Sequence, residues 1–257
     1  MPSMSLFLSQ LFNGLATGLL LALISTGLTI IYGTLGVVNF AHGALFVVGS
    51  YAGFTAYTMT GSFLAAIAAG AAMALFVGLV IERGIMRMYY QRPAEDQILV
   101  TFGIGIILVE VVRSIYGGVS LSVPTPEWGQ GIAQIGSLIY PLYRLQALFI
   151  AAGTLAVLYF VLYRTSLGLI VRAGIEDAQM VNVLGINVKR TFLLVFGIGA
   201  MAAGYAGVID SPIVTLSPDM GHRILVDSFV VVVIGGVGSF PGAIIGGIIA
   251  GEILSLT

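Results

Sequence analysis

The sequence predicts an all-α fold: a polytopic transmembrane helical bundle of about eight spans, with one or two broken or short helices. Three observations carry this expectation. Only 8% of the 257 residues are charged, where a soluble domain usually carries about a quarter. Mean hydropathy is +1.08. The apolar residues run continuously rather than alternating, which suits helices and not a membrane barrel. A run of roughly 20 apolar residues crosses a hydrocarbon core of about 30 Å. Backbone amides find no water there, so the chain must satisfy them internally.

Taken in order, the apolar runs fall at 6–31, 44–58, 63–81, 98–115, 145–163, 191–209, 224–237 and 243–256. Residues 1–13 hold no Lys or Arg, so the basic region of a cleavable signal peptide is missing and the first run is expected to stay as a span. The runs 44–58 and 224–237 are short, and each adjoins a break containing Gly or Pro. Short, interrupted segments of this kind are expected to be broken helices beside a pathway. The last run reaches the chain end without a polar flank, so the single domain 1–257 is expected to be truncated at its C-terminus. The segment 117–143 holds Pro124, Pro126 and Trp128 among several glycines and is expected to form turns or a short hairpin.

Charge sets the expected orientation. Seven of the ten cations lie in two loops: Arg83, Arg87 and Arg92 in one, and Arg164, Arg172, Lys189 and Arg190 in the other. Two runs separate these loops, so they share a side, which the positive-inside rule makes cytoplasmic. Segments 82–96 and 164–190 are then inside and the N-terminus is outside.

The 35 glycines recur at four-residue spacing: Gly14 and Gly18, Gly49 and Gly53, and Gly238, Gly242 and Gly246. Such spacing puts small residues on one helix face, where backbones approach closely. These glycines read as packing positions. No G-x-x-x-x-G-K-[ST] occurs, so this chain holds no phosphate-binding loop for ATP. No cysteine is present and the two histidines are far apart, which leaves no basis for a disulfide framework or a metal centre. A net charge of −1 gives no basis for a nucleic-acid partner.

Ionisable and amide groups at membrane depth are costly and become candidates for a pathway. Asn39 and His42 lie at the break after the first run, Asp227 in the short run after His222 and Arg223, and Glu252 in the last run. For His42 the better reading is a ring hydrogen-bonded at a helix end. Glu110 and Arg113 are one turn apart and are expected to pair. A nucleophile with an acid–base partner, as an enzyme would need, is not found.

The polar island 164–190 stands out in so apolar a chain. Residues 175–184 are expected to form about three helical turns, with Arg172 just before them, Glu176 and Asp177 at the start and Gly185 as the stop. Most of that helix's circumference is apolar, so it needs a cover: the bundle, the lipid interface or another protein. Arg172-Ala173 with Asp177, followed by Leu184-Gly185-Ile186-Asn187, resembles the coupling loop of bacterial branched-chain amino acid ABC transporter permeases. Gly36-Val37-Val38-Asn39-Phe40-Ala41-His42-Gly43 is similar to the LivH-type signature. Ile234-Gly235-Gly236-Val237-Gly238-Ser239-Phe240-Pro241-Gly242-Ala243 is similar to the family's G-G-x-G-S-x-P-G-A segment. The chain departs from the family pattern in stopping early and in carrying His222-Arg223 and Asp227.

The resemblance implies a multi-pass import permease of the bacterial inner membrane. It would bind no cofactor itself, with ATP and Mg on cytoplasmic ATP-binding partner subunits. A second permease subunit, related or identical, would complete the pathway, and an extracytoplasmic solute-binding protein would deliver substrate. Arg172, Glu176, Asp177, Leu184, Gly185 and Ile186 would then form the ATPase-coupling surface. Two alternatives stay open: the same importer type for a small polar solute such as urea or an amide, and an ion-coupled carrier or channel built on Asp227 or Glu252.

Overall fold

The computed structural model describes residues 4–135, 138–176, 178–185 and 187–256. Each of the eight apolar runs lies on a helix. They are α1 (Met4–Leu35), α2 (His42–Thr60), α3 (Phe63–Gly84), α4 (Ala94–Tyr116), α5 (Leu142–Arg164), α8 (Val188–Asp210), α9 (Met220–Gly235) and α10 (Phe240–Leu256), with two short helices, α6 (Ser166–Glu176) and α7 (Ala178–Val183), in the island. Five are long and apolar enough to cross a membrane alone, and α9 with α10, bent by 116° at their break, form a broken span or a re-entrant loop. The polytopic helical bundle therefore stands, with fewer full crossings than apolar runs, because α2 falls short of a full apolar span and the α9–α10 pair is bent at a break.

α1 is the central helix. Its apolar span is 89% buried, against 28% for α3, α4 and α5. Lipid chains are as apolar as leucine, so helix association here rests on close packing. α1 runs against α10, where a Cβ on Gly18 would strike the backbone of Gly247 and one on Gly251 would strike that of Gly14 and Gly18. A second junction joins α2, α3 and α8: a Cβ on Gly49 would enter Gly204, and one on Gly70 would enter Gly49. Gly53 lies against Val208, Gly242 against Gly235, Gly246 against Val231, and Gly238 against Gly33.

Several hydroxyls inside the spans satisfy themselves on the preceding turn, although those of Ser25 and Thr29 on α1 find no partner among the described residues. Thr26 donates to Ala22 O at 2.7 Å, Ser50 to Phe46 O at 2.8 Å and Ser228 to Ile224 O at 2.7 Å. Each spares a polar group from exposure to hydrocarbon. The caps are local: the Ser62 hydroxyl accepts the Ala65 N–H at 3.3 Å to start α3, and Asn187 Oδ1 accepts the Arg190 N–H at 3.1 Å to start α8.

Between α1 and α2 the chain folds back into the bundle. Asn39 and His42 are fully buried, so α2 begins inside the protein. The freed backbone of this break is taken up by α4, where the Thr101 hydroxyl accepts the Phe40 N–H at 3.0 Å and stands 3.2 Å from Val38 O. Asn39 Oδ1 accepts the Ala41 N–H at 3.0 Å. Irregular backbone at membrane depth survives only with such partners.

The two ends of the bundle differ. At one end, β1 (Ile132–Ile135) and β2 (Leu138–Pro141) pair antiparallel, with Ile132 opposite Pro141 and Ile135 opposite Leu138. This is the short hairpin expected of the Pro- and Gly-rich segment. An isolated bridge from Leu121 to Leu216 ties it to the loop before α9. Arg113 pairs with Glu110 at 2.5 Å, as their spacing predicted, and also reaches Asp219 at 2.5 Å. At the other end, the Tyr90 and Phe192 rings meet with centroids 5.7 Å apart. That contact puts the 82–96 loop and the start of α8 together, so both basic loops share one end. The first turns of α1 lie at the hairpin end, since Asn13 accepts a hydrogen bond from Tyr140 at 3.0 Å.

Candidate functional site

A cavity of about 410 Å³ opens in the hairpin half of the bundle. α1 lines it with Asn13, Thr17, Leu20, Leu21 and Ile24, one face repeating every three or four residues. α9 contributes Arg223, Ile224 and Asp227, and α2 contributes Phe46. Arg144 enters from the start of α5, Asp210 from the last residue of α8, and Leu254 from α10. The short helix α2 and the bent α9–α10 pair thus border the same space. An adjoining cavity of about 350 Å³ shares Asn13, Thr17, Arg144, Arg223 and Leu254 with the first. The two arginines therefore sit where the cavities meet, while Asp210 and Asp227 line only the first.

The charged groups are held by specific contacts. The Tyr143 hydroxyl donates to Ile209 O at 2.7 Å, which holds the start of α5, with Arg144, against the end of α8, with Asp210. Arg144 Nη1 donates to Asn13 Oδ1 at 2.9 Å, anchoring the guanidinium on α1. The same Asn13 oxygen accepts the Tyr140 hydroxyl, which burial keeps protonated beyond the usual phenol range. Arg223 stands 3.9 Å from Asp227. Asp210 is only 8% exposed, and no hydrogen bond to its carboxylate is found among the described residues. Below these charges the wall is apolar. The arrangement can hold a solute that carries both signs of charge and an apolar body.

Of the four pathway candidates read from the sequence, Asp227 alone lines this cavity. His42 lies behind its floor: the ring Nε2 bonds Ile24 O at 2.8 Å. Asn39 belongs to the α1–α2 break. Glu252 packs against Gly14 on the α1–α10 seam, and its Oε2 has no hydrogen-bond partner among the described residues. Arg144 and Asp210 were missed because each stands at the boundary of a span, where charged flanking residues are ordinary.

At the basic end the island differs from its sequence reading. The helix starts at Ser166, so Arg172 lies within α6 and not before the helical segment. The physical reason is a start signal beyond the expected window: the Thr165 hydroxyl accepts the Gly168 N–H at 3.4 Å. Packing completes it, with Gly168 against Leu162 O and Val171 buried. Arg172 donates to Leu162 O, near the C-terminus of α5, and its guanidinium lies 5.3 Å from the Tyr163 ring centroid. A cation there also suits the dipole of α5. Gly185, at φ +81°, turns the chain out of α7. Leu169 (61% exposed), Val183 (82%) and Leu184 (70%) present apolar surface outward. Asp177 and Ile186 lie outside the described residues.

Residues 10–257 match the family described as the permease component of branched-chain amino acid transport systems. The chain belongs to this family. It is 34% identical to the high-affinity branched-chain amino acid transport permease LivH of Salmonella typhimurium, over 95% of this chain and 84% of the relative. It is 32% identical to BraD of Pseudomonas aeruginosa, over 98% of this chain and 86% of that protein. The ribose import permease RbsC of Escherichia coli is more distant, at 24% identity over 95% of this chain and 76% of its own. No solved structure matches the chain. As a membrane permease component it is a transport subunit.

Proposed function

We propose that this permease component is a membrane subunit of an ATP-driven importer that moves branched-chain amino acids across the bacterial cytoplasmic membrane. Segments 82–96 and 164–190 face the cytoplasm and the N-terminus faces out, since seven of the ten cations gather at one end. Cytoplasmic ATP-binding subunits carry ATP and Mg. A second permease subunit completes the pathway, and a solute-binding protein docks on the hairpin end.

The observation that carries the coupling role is an exposed apolar loop surface braced to two spans. Leu169, Val183 and Leu184 face outward from α6 and α7, while Arg172 ties α6 to α5 and the Asn187 cap starts α8 directly after the loop. A largely apolar surface on the water side is explained by a protein that covers it. α6 also borders a crevice formed by Thr29 and Gly33 of α1 with Phe240 of α10. A push on α6 is therefore delivered to α1 and α10, which are locked together by Gly18, Gly247 and Gly251. Both helices line the charged cavity at their far ends. ATPase closure then biases the cavity between outward- and inward-open states by displacing this pair.

An ion-coupled carrier is less well supported, because Glu252 does not line the cavity that Asp227 lines. The deciding experiment is leucine uptake into proteoliposomes containing the assembled transporter. Uptake should need ATP, the ATPase subunits and the binding protein. Uptake that continues in vesicles without any ATPase subunit refutes the proposal.

A further inference from the structure

The charged cavity has features that a structural salt-bridge cluster does not need. Asp210 is buried, lines the cavity and has no hydrogen bond to its carboxylate among the described residues. Arg144 lines the same cavity without forming an ion pair with it among the described residues, and one arm of Arg144 is committed to Asn13. A buried carboxylate without donors is costly unless a cation arrives to meet it. The arginines stand at the junction with the adjoining cavity, and the two carboxylates lie only on the inner side. Leu20, Ile24, Phe46 and Ile224 supply an apolar wall beside both.

We infer that this cavity is a selectivity site for a zwitterionic α-amino acid in passage. The carboxylate of the solute rests on Arg144 and Arg223, its ammonium group rests on Asp210 and Asp227, and its side chain lies on the apolar wall. This rests on the importer reading above and deepens it. The membrane subunit itself then tests for both charges of the solute, so discrimination does not lie with the binding protein alone. A bidentate guanidinium suits a carboxylate, and carboxylates suit an ammonium. A neutral solute such as urea supplies no counter-charge to Asp210 or to the free arm of Arg144, and a solute with one charge answers only one of them, which is where polar sites discriminate most.

The chain has no cysteine, so Thr17→Cys gives this subunit a single thiol, in the cavity wall, whose labelling is read on this subunit within the assembled transporter. The rate of its modification by N-ethylmaleimide is measured with L-leucine, with 4-methylpentanoate, which lacks the ammonium, and with 3-methylbutylamine, which lacks the carboxylate. Leucine should protect the thiol at concentrations at least about tenfold lower than either analogue, the scale of losing one partner of a desolvated charge pair. Adding Asp210→Asn should weaken protection by leucine while bringing the carboxylate-only analogue closer to it. Adding Arg144→Gln should favour the amine-only analogue instead. This reciprocal pattern is not expected from loosened packing. If Asp210→Asn does not assemble, Asp227→Asn and Arg223→Gln, on more exposed groups, carry the same reciprocal expectation. Equal protection by all three compounds, no protection by leucine, or unchanged leucine protection in the charge variants overturns the inference. Leucine uptake by the unmodified importer is read in parallel. If that uptake is intact and the thiol is not protected, the cavity assignment alone fails. If the unmodified importer moves no branched-chain amino acid, the importer reading fails and the inference with it.

Discussion

Arg172→Ala tests how the island transmits force. In the structure its guanidinium makes one charge-assisted hydrogen bond to Leu162 O and lies over the Tyr163 ring at 5.3 Å. A hydrogen bond from a charged group contributes about 1.5–3 kcal/mol when shielded. Arg172 is exposed, so solvent screening brings this to about 1 kcal/mol. An exposed cation–π contact adds about 0.5–1 kcal/mol. Together they favour the docked position of α6 on α5 by roughly 1.5–2 kcal/mol, a ten- to thirty-fold bias, since 1.4 kcal/mol is a factor of ten. Without it, α6 should yield to the ATPase instead of moving α1 and α10. The assay is the ratio of leucine taken up to ATP hydrolysed in proteoliposomes. Arg172→Ala should lower this ratio about tenfold or more, with ATP hydrolysis and assembly retained. Arg172→Lys keeps the charge but not the planar stack and should fall between. An unchanged ratio in Arg172→Ala refutes the view that this brace carries the coupling.

Further outcomes follow from single contacts. Gly18→Leu forces a side chain into the backbone of Gly247 and should cost about 1–3 kcal/mol or more, read as a lower thermal midpoint; Gly103→Ala, where a Cβ meets nothing within 4 Å, should leave it unchanged. Gly185→Val must adopt a positive φ at a cost of about 1–2 kcal/mol, so it should impair uptake more than Gly185→Asn. Tyr90 donates to Glu82 Oε1 at 2.9 Å, and Glu82 is 2% exposed, so Tyr90→Phe should cost about 1–3 kcal/mol by leaving a buried carboxylate short of a donor. Burial raises the affinity of the Tyr90 hydroxyl for its proton. Its contribution is then complete below the ordinary phenol value of about 10 and declines as pH rises above that. Alkaline unfolding should show a steeper decline in the parent protein than in Tyr90→Phe, the difference being the Tyr90 share.

Much of the fold is legible in the chain because the membrane simplifies the physics. Every apolar run became a helix, since hydrocarbon gives the backbone no other partner. Gly at four-residue spacing marks helix faces at 14 and 18 and at 49 and 53, whereas Gly238 lies in the break between α9 and α10 at φ +81° because the chain turns there; the Pro- and Gly-rich segment forms its hairpin. The island's start was misplaced because the Thr165 hydroxyl and the packing of Gly168 and Val171 act outside the 175–184 window. Asp227 could be read as a pathway candidate because it is a charge within an apolar run. Arg144 and Asp210 could not, because each looks like an ordinary flank at the edge of a run. His42 reads as a candidate by its chemistry, but whether its ring meets a solute or Ile24 O depends on how α1 and α2 cross.

By itself, the sequence determined that this protein is a helical membrane protein, which end collects its cations, and which loop interrupts its apolar surface. Those properties depend on composition and local periodicity, which the chain carries residue by residue. Tertiary structure alone decided that Arg144, Asp210, Arg223 and Asp227 share one cavity, and that α1 with α10 links it to the island. Such groupings bring together residues far apart in the chain. They are set by how glycine faces let helices approach, and no local pattern records that.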